Sequence, residues 1–406
     1  MKTRFPFGRA RHIAPPLRLA VTVAFVACNG TTSEGPAHST GEADATCARS
    51  TLLVAASDFN QGDSDLGLLA LDGGASFSAG GPTLGSDPAL ASSAGRVFWI
   101  DRTSGNILEL DPRCAAPLAE PWSTNDPGPG GSTNPQDIAV DPATGNLWIA
   151  RFKVSTILVK SSDGATDLGR IDLSTVAGVN RNPYMSSIRI IDLGNGEGPK
   201  AYVTLEMLFP YPMVTQPSYI VRLDVATALQ TGKVEAALEL QGRNPFGLMV
   251  EYDKALYLAE PGSFTDATET GAGIEKVDLA SFTSKLLVRE SDIGASVDQV
   301  SITSGCATAI VAAPNAENTT SVISFDPATG AIVTPLSARF LTTDAGFELG
   351  GMTWLDGGLN VIGDGTGVSG EGYAVHVLTA SSTCTLTESA RSLYAPLPPI
   401  AFVPVP

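Results

Sequence analysis

Histidine is nearly absent from this chain, with three in 406 residues. His12 falls in an amino-terminal stretch that reads as a removable signal, which leaves His38 and His376. A Ser/His/Asp triad needs an imidazole aligned between nucleophile and acid, and this scarcity argues against one. The Gly-x-Ser-x-Gly elbow, the Walker-type glycine loop, His-Glu-x-x-His and Cys-x-x-Cys are all missing, so nucleotide, zinc-protease and haem chemistry find no support. Positive charge is also scarce. Lys and Arg total 25 against 42 acids, a formal charge of −17. That balance disfavours nucleic acid and anionic membrane surfaces as partners. Sustained helical periods are few. Glycine (42) and proline (28) are plentiful instead, often as Asp-Pro, Asp-Gly and Thr-Gly pairs. Such punctuation points to an all-β protein of short strands.

The most informative stretch is residues 134–164, NPQDIAVDPATGNLWIARFKVSTILVKSSDG. It reads as three strands. Residues 138–140 form the first and 147–150 the second. A tight turn joins them, in which Asp141 accepts from backbone N–H groups, Pro142 presets φ and Gly145 takes φ > 0. The third strand covers 156–160. The second is apolar without a break, Trp148 included, so both of its faces are expected to be buried.

This second strand recurs at 52–56, 97–100, 147–150, 201–204, 256–259, 309–312 and 360–363, at steps of about 45 to 55 residues. The third strand and its turn recur independently at 68–74, 107–113, 157–164, 220–232, 274–284, 322–330 and 374–382. Two interleaved markers with one period specify a seven-bladed β-propeller of four-stranded antiparallel blades. Nothing strand-like precedes Cys47, so the first repeat lacks its innermost strand. Residues 398–403 (PPIAFV) resemble 135–140 (PQDIAV). The carboxy-terminal strand is therefore expected to complete the first blade and remove the open edges. At these residues the chain resembles NHL-type propellers of bacterial surface proteins, a likeness that implies fold and not activity.

Residues 1–27 carry Lys2, Arg4, Arg9, Arg11 and Arg18, then an apolar run at 19–27 too short to span a bilayer. The run ends in Phe-Val-Ala-Cys28, which resembles the lipobox of bacterial lipoproteins. That resemblance implies lipidation at Cys28, with Phe25 standing where Leu is usual. A plain secretory signal is the alternative. Cleavage removes five positive charges and no acids, taking −17 to −22. Residues 28–46 are small and polar and read as a disordered tether, which leaves 47–406 for the propeller. Cys47, Cys114, Cys306 and Cys384 are then an even set suited to an oxidising compartment. Cys47 and Cys306 precede second strands, while Cys114 and Cys384 follow third-strand turns. The blade-to-blade equivalence predicts Cys47–Cys114 and Cys306–Cys384.

The turns bearing these cysteines share one face, and the long connections lie on the other, where function usually sits. Asp58, Asp101, Arg151, Glu206, Glu260, Asn315 and Asp364 end the second strands near the channel mouth. Asn134, Asn182 and Asn244 each precede a proline where a blade begins. Two readings stay open. These oxygens could converge on Ca²⁺, which takes six to eight oxygen ligands, and gluconolactonase-like propellers hold a divalent ion in such a mouth. Alternatively the acids cap turns and Asn-Pro starts a bend. The loop 58–65 (DFNQGDSD) misses EF-hand spacing and reads as solvated. Trp122, Phe209, Tyr211 and Phe264 are loop aromatics that could stack on a sugar or grip a partner. His376 reads as structural.

The sequence thus points to a monomeric propeller in the cell envelope, anchored only through its lipid. It would bind an envelope protein, peptide or glycan, with no firm cofactor. The alternative is a Ca-dependent lactonase-type hydrolase using the acidic ring.

Overall fold

The computed structural model describes residues 52–58, 63–71, 78–79, 85 and 87–405, apart from 129, 177, 179–180, 215, 264–268, 304, 314–318, 344–348, 356–357, 369–370 and 390–392. The signal, the tether, Cys28, His38, Cys47, Phe264, Asn315 and residues 59–62 of the 58–65 loop lie outside the described residues. Residues Thr46–Pro406 form one compact unit.

The fold is all-β, in seven antiparallel sheets of four strands, the last with a fifth strand beside it. The seven recurring apolar segments are the second strands of the blades: Leu52–Asp58, Arg96–Asp101, Leu147–Arg151, Lys200–Leu205, Ala255–Glu260, Cys306–Ala313 and Leu359–Val368. Blade 3 shows why such a strand is apolar without alternation. Trp148 and Ala150 pack with Met185, Ile188 and Val203 of blade 4. Leu147 and Ile149 pack with Phe98 and Ile100 of blade 2. Alternate residues thus feed two different inter-blade cores, and neither face meets water.

The innermost strands are Pro88–Ser93, Pro135–Val140, Met185–Ile191, Phe246–Tyr252, Ser296–Thr303, Leu349–Leu355 and Pro399–Pro404. Each touches the next around a closed ring, with Pro399–Pro404 between Leu349–Leu355 and Pro88–Ser93. The carboxy-terminal strand is therefore the innermost strand of blade 1. It pairs antiparallel with Leu52–Asp58 in the register Leu52↔Pro404, Leu53↔Val403, Val54↔Phe402, and Pro398 O accepts from Ser57 N–H at 2.9 Å.

Short turns on one face follow the expected chemistry. Asp141 Oδ1 accepts from Ala143 N–H (2.9 Å), and Gly145 sits at φ 75°. The same five residues, Asp-Pro-Ala-Thr-Gly, recur at 326–330, where Asp326 Oδ1 accepts from Ala328 N–H (2.7 Å) and Gly330 takes φ 78°. On this face Cys306 of blade 6 and Cys384 of blade 7 form a disulfide, one of the two expected pairings. Cys114 forms no disulfide with a described residue, and its expected partner Cys47 is outside them.

The outer strands vary in length, from Trp122–Ser123 in blade 2 and Ile332–Thr334 in blade 6 to Asp167–Asp172 in blade 3 and Thr283–Arg289 in blade 5. In blade 7 the strand Leu393–Ala395 pairs with Gly372–Ala380 beside Leu386–Glu388, an extra edge strand that the repeat pattern does not announce.

Candidate functional site

The long connections run between second and third strands and from each blade to the next, so they share the face opposite the disulfide. The residues ending the second strands behave individually. Asp101, 5 % exposed, accepts from Thr103 and Ser104 N–H (2.9 and 3.0 Å) and from Ser104 Oγ (2.6 Å). It caps its turn. Arg151 is fully buried and donates to Thr124 O (3.0 Å), Thr156 O (3.0 Å) and Asp126 Oδ1 (2.8 Å). It ties the connection leaving blade 2 onto blade 3. Burial lowers the Arg151 pKa, against the pull of Asp126.

Asn134 and Asn244 adopt left-handed backbone (φ 54° and 59°) immediately before their prolines, a conformation Asn tolerates better than most residues. Asn134 Oδ1 accepts from Gln136 Nε2 (2.7 Å), and Asn244 Nδ2 donates to Gly262 O (2.9 Å). Asn182 Nδ2 donates to Phe152 O (2.7 Å). In blade 4 the left-handed residue is Tyr184 (φ 56°), two positions later. These amides position backbone.

Desolvation raises the pKa of three acids, the buried Glu206 and Glu260 and the half-buried Asp298. Glu206 is 4 % exposed, and its carboxyl has no hydrogen bond among the described residues. Burial raises its pKa well above the usual value, opposed only by the charge of Arg102. Glu260 is fully buried beside Glu275, itself fully buried, and burial with that neighbour raises its pKa strongly. The Glu275 oxygens accept from Gln241 N–H (3.0 Å) and Gly242 N–H (2.6 Å). Both Glu260 oxygens are buried without a hydrogen-bond partner among the described residues, so desolvation and the neighbouring carboxyl favour its protonated form. Asp298, on the innermost strand of blade 6, lies at a register shift between Val297 and Gln299, and burial pushes it up to about 7. By contrast Asp137 is satisfied. It accepts from Ser187 Oγ (2.7 Å), Ile188 N–H (2.9 Å) and Arg189 Nη1 (2.6 Å), pinning blade 3 to blade 4.

Asp364 lies across blade 7 with His376, Nε2 to Oδ2 3.1 Å, and the other His376 nitrogen meets Glu388 Oε1 at 2.6 Å. Burial opposes charge on His376, but the two carboxylates outweigh it and raise its pKa. Both ring nitrogens are engaged, which fits the structural role read for this residue. Among the described residues, no three His, Cys, Asp or Glu side chains are grouped so as to hold a metal ion. Of the ring residues, Asp58 is half-buried at the end of its strand.

A different cluster does form on this face. Phe152 follows Arg151, Tyr184 opens blade 4, and Phe209 and Tyr211 lie in the connection after Lys200–Leu205. Tyr184 and Tyr211 stack at 5.4 Å with 26° between planes. Phe152 meets Tyr184 at 5.1 Å and Tyr211 edge-on at 6.2 Å, and Phe209 meets Tyr184 at 5.6 Å. Tyr211 remains 60 % exposed and Met213 beside it 55 %. The Arg181 guanidinium lies 5.3 Å from the centre of the Phe209 ring. Next to this cluster runs an open groove of about 430 Å³, bordered by Asp126, Lys153, Ser155, Asp172, Arg181 and Asn182. The expected loop aromatics Phe209 and Tyr211 are both here. Phe152 and Tyr184 escape sequence reading, since only their positions beside a strand end and a blade start mark them. Trp122 is elsewhere, on an outer strand with Lys160 Nζ 5.5 Å from its ring.

No protein-family model and no curated protein sequence matches this chain. Solved structures do. A protein from Lactobacillus plantarum has a TM-score of 0.53 at 14 % identity, covering 87 % of this chain and 99 % of that one. A streptogramin B lyase has a TM-score of 0.50 at 16 % identity, covering 77 % of this chain and 90 % of that one. At these identities the likeness is one of fold alone, and the lyase chemistry belongs to that protein.

Proposed function

We propose that this chain is an exported, lipid-anchored binding module of the bacterial cell envelope, attached through Cys28 and related to the NHL-type propellers. The observation that supports binding most directly is the four-ring cluster on the long-connection face. Three separate connections each contribute to it, and it leaves a tyrosine face open beside a polar groove. Aromatic side chains with an open apolar face and a polar tip are favoured recognition groups, because they offer large contact area at small entropic cost. The hydrolase alternative would need the ring acids to act together. The capping of Asp101, the tethering of Arg151 and the Glu260–Glu275 pair favour structural roles for them instead.

Binding is tested with Tyr211→Ala and Tyr184→Ala in the full-length chain. Cross-linked capture from an envelope extract should drop in both variants while the melting temperature of Tyr211→Ala stays within about 1 °C, since exposed side chains away from the core contribute little to stability. Unchanged capture would reject this face as the binding surface. Attachment is tested separately by metabolic labelling with an alkyne fatty acid, which should mark the wild type and not Cys28→Ser.

A further inference from the structure

We infer, resting on that binding reading, that the groove bordered by blade 3 and its flanking connections takes an acidic saccharide, a sugar chain carrying uronate carboxylates. The first reason is charge. On a chain of net −17, the charged groups around this groove are Lys153, Arg181, Asp126 and Asp172, with Arg151 and Arg170 behind them. Asp126 is neutralised, because its Oδ1 accepts from Arg151 Nη1 and Arg170 Nε, each at 2.8 Å. Asp172 spends its oxygens on Ser155 Oγ (2.9 Å), Ser174 N–H (2.9 Å) and Ser174 Oγ (2.8 Å). Lys153 and Arg181 have no carboxylate partner among the described residues. Ion pairs engage other basic side chains of blades 2–4, as with Arg96–Glu109, Lys160–Asp167 and Lys200–Asp224. Two uncommitted cations on one groove, where the carboxylates are already bonded to other groups, select an anionic ligand.

The second reason is shape. Tyr211 is stacked on Tyr184, and Tyr184 is braced by Phe152 and Phe209. The tilted neighbours brace the stacked tyrosines, and Tyr211, 60 % exposed, presents an aromatic ring to which the C–H face of a pyranose is complementary. Arg181 reaches from the platform to the groove, its guanidinium held over Phe209, so a planar fork for carboxylate stands beside the stacking surface. The groove volume of about 430 Å³ is in the range that takes a small ligand or a few sugar units, and its open form lets a longer chain run through. The serine and asparagine borders suit hydroxyls. A protein partner would instead be expected to require a larger apolar centre than this platform provides.

The test is titration calorimetry of the purified full-length chain with a hyaluronan tetrasaccharide, alternating glucuronate and N-acetylglucosamine. Neutral chitotetraose and a Glu-rich peptide of equal charge serve as comparisons, at 20 and 150 mM salt. The expected result is that the uronate ligand binds at least tenfold tighter than chitotetraose, a difference of about 1.4 kcal/mol, and weakens as salt rises. Lys153→Gln with Arg181→Ala should abolish the preference for the acidic sugar. Tyr211→Ala should weaken both sugars by at least tenfold. Equal affinity for the two sugars, or tighter binding of the peptide, overturns the inference. Absence of sugar binding, with envelope capture still lost in Tyr211→Ala, overturns it while leaving the binding reading intact. Loss of neither rejects both.

Discussion

A carboxyl group shut away from water, with another carboxyl as its polar neighbour, must keep a proton. Glu260 is that group, lying beside Glu275 under the Gln241–Gly242 connection, where a Cβ on Gly242 would collide with Glu260 Oε2. Its pKa is raised in the folded chain, so folding takes up a proton above the ordinary glutamate range. Stability therefore falls as the pH rises from about 4.5 towards the folded value, by about 1.4 kcal/mol per pH unit for one proton. Glutamine supplies a permanent donor of the same shape. Glu260→Gln should flatten the curve of melting temperature against pH between 5 and 8, and should be more stable than wild type at pH 8. Glu206, Asp298 and His376 also have raised folded values, so stability declines through them too as pH rises, and a slope of the same sign, smaller than that of wild type, should remain. A variant curve parallel to wild type would mean that Glu260 carries no proton. Sequence reading places Glu260 correctly at a strand end but cannot find Glu275, fifteen residues later on the next strand, because a pair across a ladder leaves no local pattern.

Among the elements, the second strands are legible because each buries both faces, and two buried faces require an apolar run unbroken from one turn to the next. Outer strands as short as Trp122–Ser123 are not, since two residues carry no period. The closing strand is legible through its likeness to residues 135–140, and its seam with blade 7 accounts for two glycines. A Cβ on Gly351, at φ 64°, would fall 2.7 Å from Ile400 C and O, and one on Gly363 would collide with Pro399 O. These contacts are with backbone, which cannot rotate aside. Gly351→Ala should thus cost more than about 1 kcal/mol, from strained φ and the clash together. Ending the chain after Ala395, which preserves the blade 7 edge strand, should cost more. It deletes the buried Phe402 and Val403, whose burial is worth about 1.5–3 kcal/mol each, and uncovers the edge of Leu52–Asp58. Urea unfolding of both variants measures this. Wild-type midpoints in both would show that the ring is held closed elsewhere.

Across the whole molecule, periodicity encodes the ring while the binding surface is assembled from afar. Phe152, Tyr184 and Tyr211 come from connections about 30 residues apart, and only closure of blade 4 on blade 3 brings them together. The same separation governs how the ring is secured. Blade 7 is held to blade 6 by Cys306–Cys384, which closes a loop of 78 residues, and to blade 1 by the carboxy-terminal strand. Reduction removes a cross-link whose loop entropy is worth typically about 2–4 kcal/mol, but it leaves the hydrogen-bonded seam intact. The reduced protein should therefore unfold at a lower denaturant midpoint and still in a single transition, with calorimetric and van't Hoff enthalpies in agreement. Reduction of the chain ended after Ala395 should behave differently. With the strand seam gone and the disulfide open, blade 7 has only its face packing on blades 6 and 1, and its loss should precede that of blades 2–5 as a separate transition. Trp354, in the innermost strand of blade 7, can report that step by fluorescence when Trp99, Trp122 and Trp148 are replaced by Phe. A single transition in the doubly opened chain would show that inter-blade packing alone keeps the ring cooperative.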